Sequence, residues 1–370
     1  MAGAEVVAAE SSADRDETSI PKLSRTREGS VSWGPMPAFQ IVARREPLVE
    51  SVHRVSVAVV SREGRLVAES GNPDLVSFWR SAAKPFQAMP LVTDGVVDRF
   101  RLGSEELALA CASHSSQTRH LAVTDRFLAL IGRTEADLAC GPHLPLDSAL
   151  AHQVVRDRVP LSPRWSNCSG KHSGMLALAS HHGWPIAGYE RVGHPVQDRL
   201  AEVVAEWTDI PVPDLVLGVD GCATVCYALP LRAMALAYSR LVSSERPEGA
   251  QVRAAMMAHP ELVGGIGRFD TDLMVAMPGE IVAKIGAEGI YCAGIPSLGI
   301  GVALKVEDGD QRSLPPALFG VLDQLLPALG GPRFPASELA GHSPVAILNT
   351  RGQATGELRP EGHLRIHGTI

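Results

Sequence analysis

Lysine is scarce in this chain. Of its 34 basic residues only five are lysine, namely Lys22, Lys84, Lys171, Lys284 and Lys305. Aromatic residues are also few, at 5%. Six cysteines in 370 residues are too few for a disulfide-built scaffold, so they read as buried small hydrophobes, metal ligands or reactive thiols. The formal net charge is −7 and a basic footprint is missing, so no nucleic-acid partner is expected. No uncharged apolar run reaches the ~18 residues that suggest a membrane span. The N-terminal MAGAEVVAAESSADRDETS carries acids where a secretory signal needs a basic start and an apolar stretch, which predicts a cytoplasmic location.

What is present is an ordinary globular composition, 45% hydrophobic and 20% charged, long enough for one large domain or two smaller ones. Residues 1–38 lack a hydrophobic period and read as a disordered extension, leaving 39–370 as a single catalytic domain. SVHRVSVAVV, the turn SREG and RLVAES form a hairpin of two β-branched runs. From about 81 to 240 the apolar spacing of three and four is helical, as in SEELALACAS and GMLALASHH. Short β runs return in LVLGVDG, EIVAKIGAEG, GIYCAGI and GIGVALKVEDGD; the helix ALFGVLDQLLPALG follows, and PVAILNTRG is a candidate last edge strand. Strands at about 39–80 and 280–352, with helices between, predict an α+β fold: an antiparallel sheet flanked by helices, with a helical subdomain.

The lysines then stand out. Arginine serves wherever only positive charge is wanted, but a guanidinium does not give up its proton and an amine can. Three lysines lie in distinctive settings, RSAAK, NCSGKHSG and VAKIGAEG. Ser81-x-x-Lys84 puts hydroxyl and amine on one helical face about 5–6 Å apart at Cβ. Such a lysine activates serine only when desolvation or a neighbouring cation lowers its pKa from ~10.4 to about 7. Pro85 suits a helix start but pushes Lys84 away from helical angles, so an irregular start is expected. Spacing alone is weak evidence, since Ser19-Ile20-Pro21-Lys22 repeats it in the N-terminal extension.

CASHSSQ, with Ser113, ends an apolar helix and reads either as a cleft edge or as a solvated terminus. Lys284 lies on a strand followed by small residues, where backbone can approach a ligand. The order Ser-x-x-Lys, serine, Lys-x-Gly parallels the S-x-x-K, S-D-N and K-T-G elements of penicillin-recognising hydrolases, although the middle element departs from S-D-N. Cys222 and Cys226, four apart in GCATVC, are a weak metal signal beside the simpler reading of buried thiols.

RSAAKPFQAMPLV, CASHSSQ, NCSGKHSGMLALA, GVDGCATVCYALPL, GRFDTDLM and KIGAEG, in this order, resemble the Rhizobium-type L-asparaginases of the asparaginase II family. The match runs from about residue 38 to near residue 350. The resemblance implies a fold related to serine β-lactamases and glutaminases, a homodimer, and hydrolysis of L-asparagine to L-aspartate and ammonia. It pairs Ser81 with Lys84 and Ser113 with Lys284, and it makes Cys168, Lys171 and Cys222 resemble zinc ligands.

The mechanism expected is acyl transfer. Lys84, kept neutral by Lys284 and burial, takes the proton of Ser81, and Ser113 relays protons between the lysines; the alternative makes Ser113 the nucleophile. Asp220, in a glycine-flanked turn, is the candidate partner of the substrate ammonium, and His172 of its carboxylate or amide. Arg80 and Arg268 are candidates for the carboxylate, because an arginine fork matches it bidentately; an ion pair with an acidic side chain is the competing reading for both. The rival functions are another serine amidohydrolase of this fold, such as a glutaminase or a penicillin-binding enzyme, and a non-catalytic amino-acid or zinc-binding protein.

Overall fold

β-branched and small apolar residues build the centre of the molecule. In a computed structural model that describes residues 38–368, twelve strands are assigned. They are β1 Gln40–Arg45, β2 Leu48–Ser61, β3 Leu66–Ser70, β4 Val76–Phe78, β5 Val216–Val219, β6 Val225–Pro230, β7 Val282–Ile285, β8 Ile290–Ile295, β9 Ile300–Val306, β10 Val345–Leu348, β11 Ala354–Glu361 and β12 Arg365–Ile366. The main sheet runs β10-β11-β1-β2-β9-β8-β7, with β3 pairing β2 and β12 pairing β3, and every pairing in it is antiparallel. β2 is the hinge of this arrangement: its first half pairs β1 and its second half, from Val55, pairs β9. That second half is buried at every residue, as expected of a strand covered on both faces. The helix Leu231–Ser243 packs on β8 and β9, where a side chain at Gly301 would overlap the Ala235 carbonyl. The helix Leu314–Ala328 packs against β1 and β11.

The hairpin expected over 51–70 is present as β2 and β3, and the class is α+β, antiparallel sheet with flanking helices. Inside the region read as helical, however, β6 pairs with β4 and with β5, the strand expected in LVLGVDG, to form a second, three-stranded sheet. β6 (VCYALP) is a short continuous apolar run, which periodicity alone cannot separate from a buried helix turn. The sheet also extends past the expected limit at 352, through β11 and β12. β11 is half-buried and carries charges, so its pattern is muted. The extension expected over 1–38 lies, apart from its last residue, outside the described residues. No helix among the described residues is long and apolar enough to cross a membrane.

Candidate active site

Four segments bring the distinctive lysines together. Lys84 follows a 3-10 turn, Arg80–Ala83, and begins the helix Lys84–Ala88. It keeps helical angles (φ −58°, ψ −37°) despite Pro85, and the irregularity falls instead at Arg80, whose φ is +53°. Non-glycine residues in that region carry strain of about 1–3 kcal/mol. Ser113 lies just beyond the helix Ser104–Ala110, its N–H donating to the Val263 carbonyl at 2.9 Å. Cys168, Lys171 and His172 open the helix Ser169–His182, which docks closely because Gly170 leaves room for the Leu109 carbonyl. Lys284 comes from β7.

Lys84 and Lys284 are fully buried. Lys84 Nζ lies 3.0 Å from Ser113 Oγ, 2.6 Å from the Ala112 carbonyl and 3.2 Å from Cys168 Sγ. Lys284 Nζ lies 2.9 Å from the same Ser113 Oγ and 2.8 Å from the Ile285 carbonyl. One hydroxyl thus touches two amines, and it has one proton to give. Donation to an amine requires that amine to be neutral. Lys284 meets this condition near neutrality: burial drives its pKa down to about 7, with Asp270 opposing the change and Lys84 adding to it. Asp270 is itself fully buried, and neither of its carboxylate oxygens has a hydrogen-bond partner among the described residues. Ser81 is half-buried, and no hydrogen bond links its Oγ to Lys84 among the described residues.

A second cluster adjoins the first. Lys171 Nζ lies 3.0 Å from Cys222 Sγ and 3.8 Å from Asp220. Hydrogen bonding from Cys168, with Lys171 helping against the cost of burial, brings Cys222 down to about 5, whereas the same contact and burial push Cys168 up to about 12. The two shifts run in opposite directions, so Cys222 is the thiol that more readily ionises. Burial works against the Lys171 ammonium, but Cys222, Cys168 and Asp220 hold it well above its usual range. Arg80 Nε is 2.9 Å from Asp220 Oδ1, so both are already engaged, and Asp220 stays ionised despite burial through Lys171 and Arg80. Arg268, half-buried, precedes the helix Phe269–Ala276 and has no ion pair among the described residues. The buried His172 bonds Tyr189 through Nδ1 at 2.7 Å.

Among the described residues no group of three or more His, Cys, Asp or Glu side chains could hold a metal ion. The donor set of Cys168, Cys222 and Lys171 nevertheless suits a thiophilic ion, because two thiols brought together from distant segments can bind it as thiolates. Lys171 would join as a neutral amine, which a nearby dication favours. Asp270 and Tyr189 escaped the sequence reading of the site. Asp270 lies within GRFDTD, and its burial beside a lysine has no sequence signal; Tyr189 has none either.

The L-asparaginase II family model matches residues 41–360. Among solved structures, a putative β-lactamase from Bacteroides dorei is 14% identical, over 73% of this chain and 93% of that one, with a TM-score of 0.38. A β-lactamase from Mycobacterium bovis is also 14% identical, over 78% and 95%, with a TM-score of 0.35. The native form of Mglu is 19% identical with a TM-score of 0.33; the match covers 75% of this chain and spans only 61% of Mglu. No curated protein sequence matches the chain.

Proposed function

Because the chain belongs to the L-asparaginase II family, a family of amidohydrolases, we propose that it hydrolyses L-asparagine to L-aspartate and ammonia by acyl transfer to serine. The observation that carries the reading is the Ser113 hydroxyl between two buried lysine amines, at 3.0 and 2.9 Å. In this mechanism neutral Lys284 takes the proton of Ser113 as Oγ attacks the side-chain amide carbon. The resulting ammonium returns a proton to the departing nitrogen, the C–N bond breaks and ammonia leaves. Water then attacks the ester, its proton passes to Lys284 and on to the departing Oγ, and aspartate is released with serine and neutral lysine restored. Lys84, donating to Ser113 Oγ, stabilises the alkoxide as it forms.

A second reading has its own support. Arg80 holds a left-handed backbone directly before Ser81, and strained turns often present nucleophiles. In that version Ser81 is acylated and Ser113 relays its proton to the lysines. A diazoketone analogue of asparagine, followed by mass mapping, separates the two: label on Ser113 favours the first, label on Ser81 the second. Ammonia release from asparagine, glutamine and neither tests the substrate. Turnover of glutamine alone would make the protein a glutaminase, and hydrolysis of a chromogenic β-lactam alone would place it with the penicillin-recognising enzymes.

Binding of the substrate falls to His172, Asp220, Arg80 and Arg268 in this proposal. Arg268, with no acidic partner among the described residues, is the stronger candidate for the carboxylate. Zinc is proposed on Cys168, Lys171 and Cys222, where it would supply a fixed positive charge beside the substrate. Metal analysis of the purified protein and of Cys222→Ser tests it: about one zinc per chain, lost in the variant, is expected. A homodimer and a cytoplasmic location complete the proposal; six free, buried thiols among the described residues suit a reducing compartment.

A further inference from the structure

His172 lies one helical turn after Cys168, and its backbone N–H donates to the Cys168 carbonyl at 3.1 Å. Cys168 caps this helix, and its thiol is contacted by Lys84 at 3.2 Å. The ring is fully buried and close enough to Lys84 to feel its charge. Its Nδ1 is 2.7 Å from the Tyr189 hydroxyl, and that hydroxyl accepts the Ala139 N–H at 2.9 Å. Tyr189 O–H has no other acceptor among the described residues, so its proton points at Nδ1. A ring nitrogen that accepts a hydrogen bond bears no proton. The imidazole hydrogen is consequently on Nε2.

Nε2 is also buried, and it has no partner among the described residues. Buried polar groups in native proteins are nearly always hydrogen-bonded, so this N–H calls for an acceptor. We propose that Tyr189 is a positioning residue that locks His172 in the Nε2–H form, and that this N–H donates to an acceptor oxygen of the substrate. The identity of that oxygen rests on the amidohydrolase reading above; the locked tautomer does not. The polarity has a corollary for the neighbouring sulfurs: a protonated Nε2 offers no lone pair, so His172 is not a metal ligand.

Nitrogen NMR of protein carrying 15N-labelled histidine tests this directly, with the His172 signals assigned by their loss in His172→Ala. The expected spectrum has a protonated Nε2 and an unprotonated Nδ1, with the Nε2–H resonance moving when L-aspartate is added. In Tyr189→Phe the tautomers should mix. The kinetic counterpart is a KM for asparagine raised about tenfold in Tyr189→Phe with kcat changed far less, and no further rise when the change is made in His172→Ala. A proton on Nδ1 in the unaltered protein, an Nε2–H signal indifferent to aspartate, or additive effects of the two substitutions would overturn the proposal. The spectrum needs neither turnover nor a folded variant at Tyr189, so an inactive protein would refute the amidohydrolase reading without touching the tautomer.

Discussion

Lys84 and Lys284, 200 residues apart in the chain, hydrogen-bond the same oxygen, Ser113 Oγ. Two cations on one hydroxyl repel each other, and burial penalises both charges, so the pocket favours one neutral amine. Lys284 is placed at about 7 by that burial. The sign follows: below pH 7 the base is protonated and idle, above it the base is free. The log of kcat/KM should therefore rise with a slope near one up to about pH 7 and then level. Substituting Lys284 by Met should lower kcat by about 10²–10⁴ and remove that ascending limb. A pH profile flat from 5 to 8 would contradict the assignment.

Lys84 has a different task. Its amine satisfies the Ala112 carbonyl at 2.6 Å while holding Ser113 and Cys168. Lys84→Met removes the donor and leaves that carbonyl unpaired in the interior, at a cost of about 1–3 kcal/mol. Thermal unfolding should register that loss, and ammonia release should fall by more than the folded fraction explains. Lys84→Arg, which keeps the charge but cannot serve as a base in the expected Ser81 mechanism, should be close to inactive as well. Turnover near the unaltered level in the arginine variant would remove Lys84 from the proton path.

The scarcity of lysine made the chemistry legible. The three lysines singled out by their settings are buried, whereas Lys305, partly buried, serves main-chain carbonyls at the end of β9. Motif order gave the family, and hairpin and late strands gave the sheet. Long-range pairing was not readable. Nothing near Arg80 announces that its partner is Asp220, 140 residues on, because the two meet only when β6 carries the 220 turn beside the 3-10 turn. Spacing suggested that Lys84 would face Ser81; burial and the Ala112 carbonyl turn the amine toward Ser113 instead. Tyr189 acts through a contact with His172 that no local pattern encodes.

Cys222 links the sulfur cluster to pH. Its folded pKa of about 5 lies below the ~8.5 of an unfolded thiol, so the folded state is favoured by the thiolate above pH 8.5. That contribution is lost as pH falls from about 8.5 to 5, where the folded state must also take up the proton. In metal-stripped protein the melting temperature should decline across this window, and Cys222→Ser should flatten the decline. Parallel curves for the two proteins would mean that the thiol is not ionised at neutral pH.

Gly170 tests how tightly the fold controls the site. It opens the helix that carries Lys171 and His172, and a methyl group there would overlap the Leu109 carbonyl and touch the Leu109 side chain. Leu109 belongs to a helix whose residues 106–110 are all buried. The helix Ser169–His182 must then shift away, carrying Cys168 off the Lys84 amine and His172 with it. Overpacking of this kind typically costs about 1–3 kcal/mol, enough to lower the melting temperature by several degrees in a domain of this size. Activity should fall further than stability, because a displacement near 1 Å at reacting groups costs about 10²-fold. Gly132→Ala provides the contrast: its left-handed backbone makes alanine unfavourable, yet open space surrounds it, so stability should drop while kcat per folded molecule is unchanged. Equal loss of activity per folded molecule in the two variants would show that helix placement does not govern catalysis.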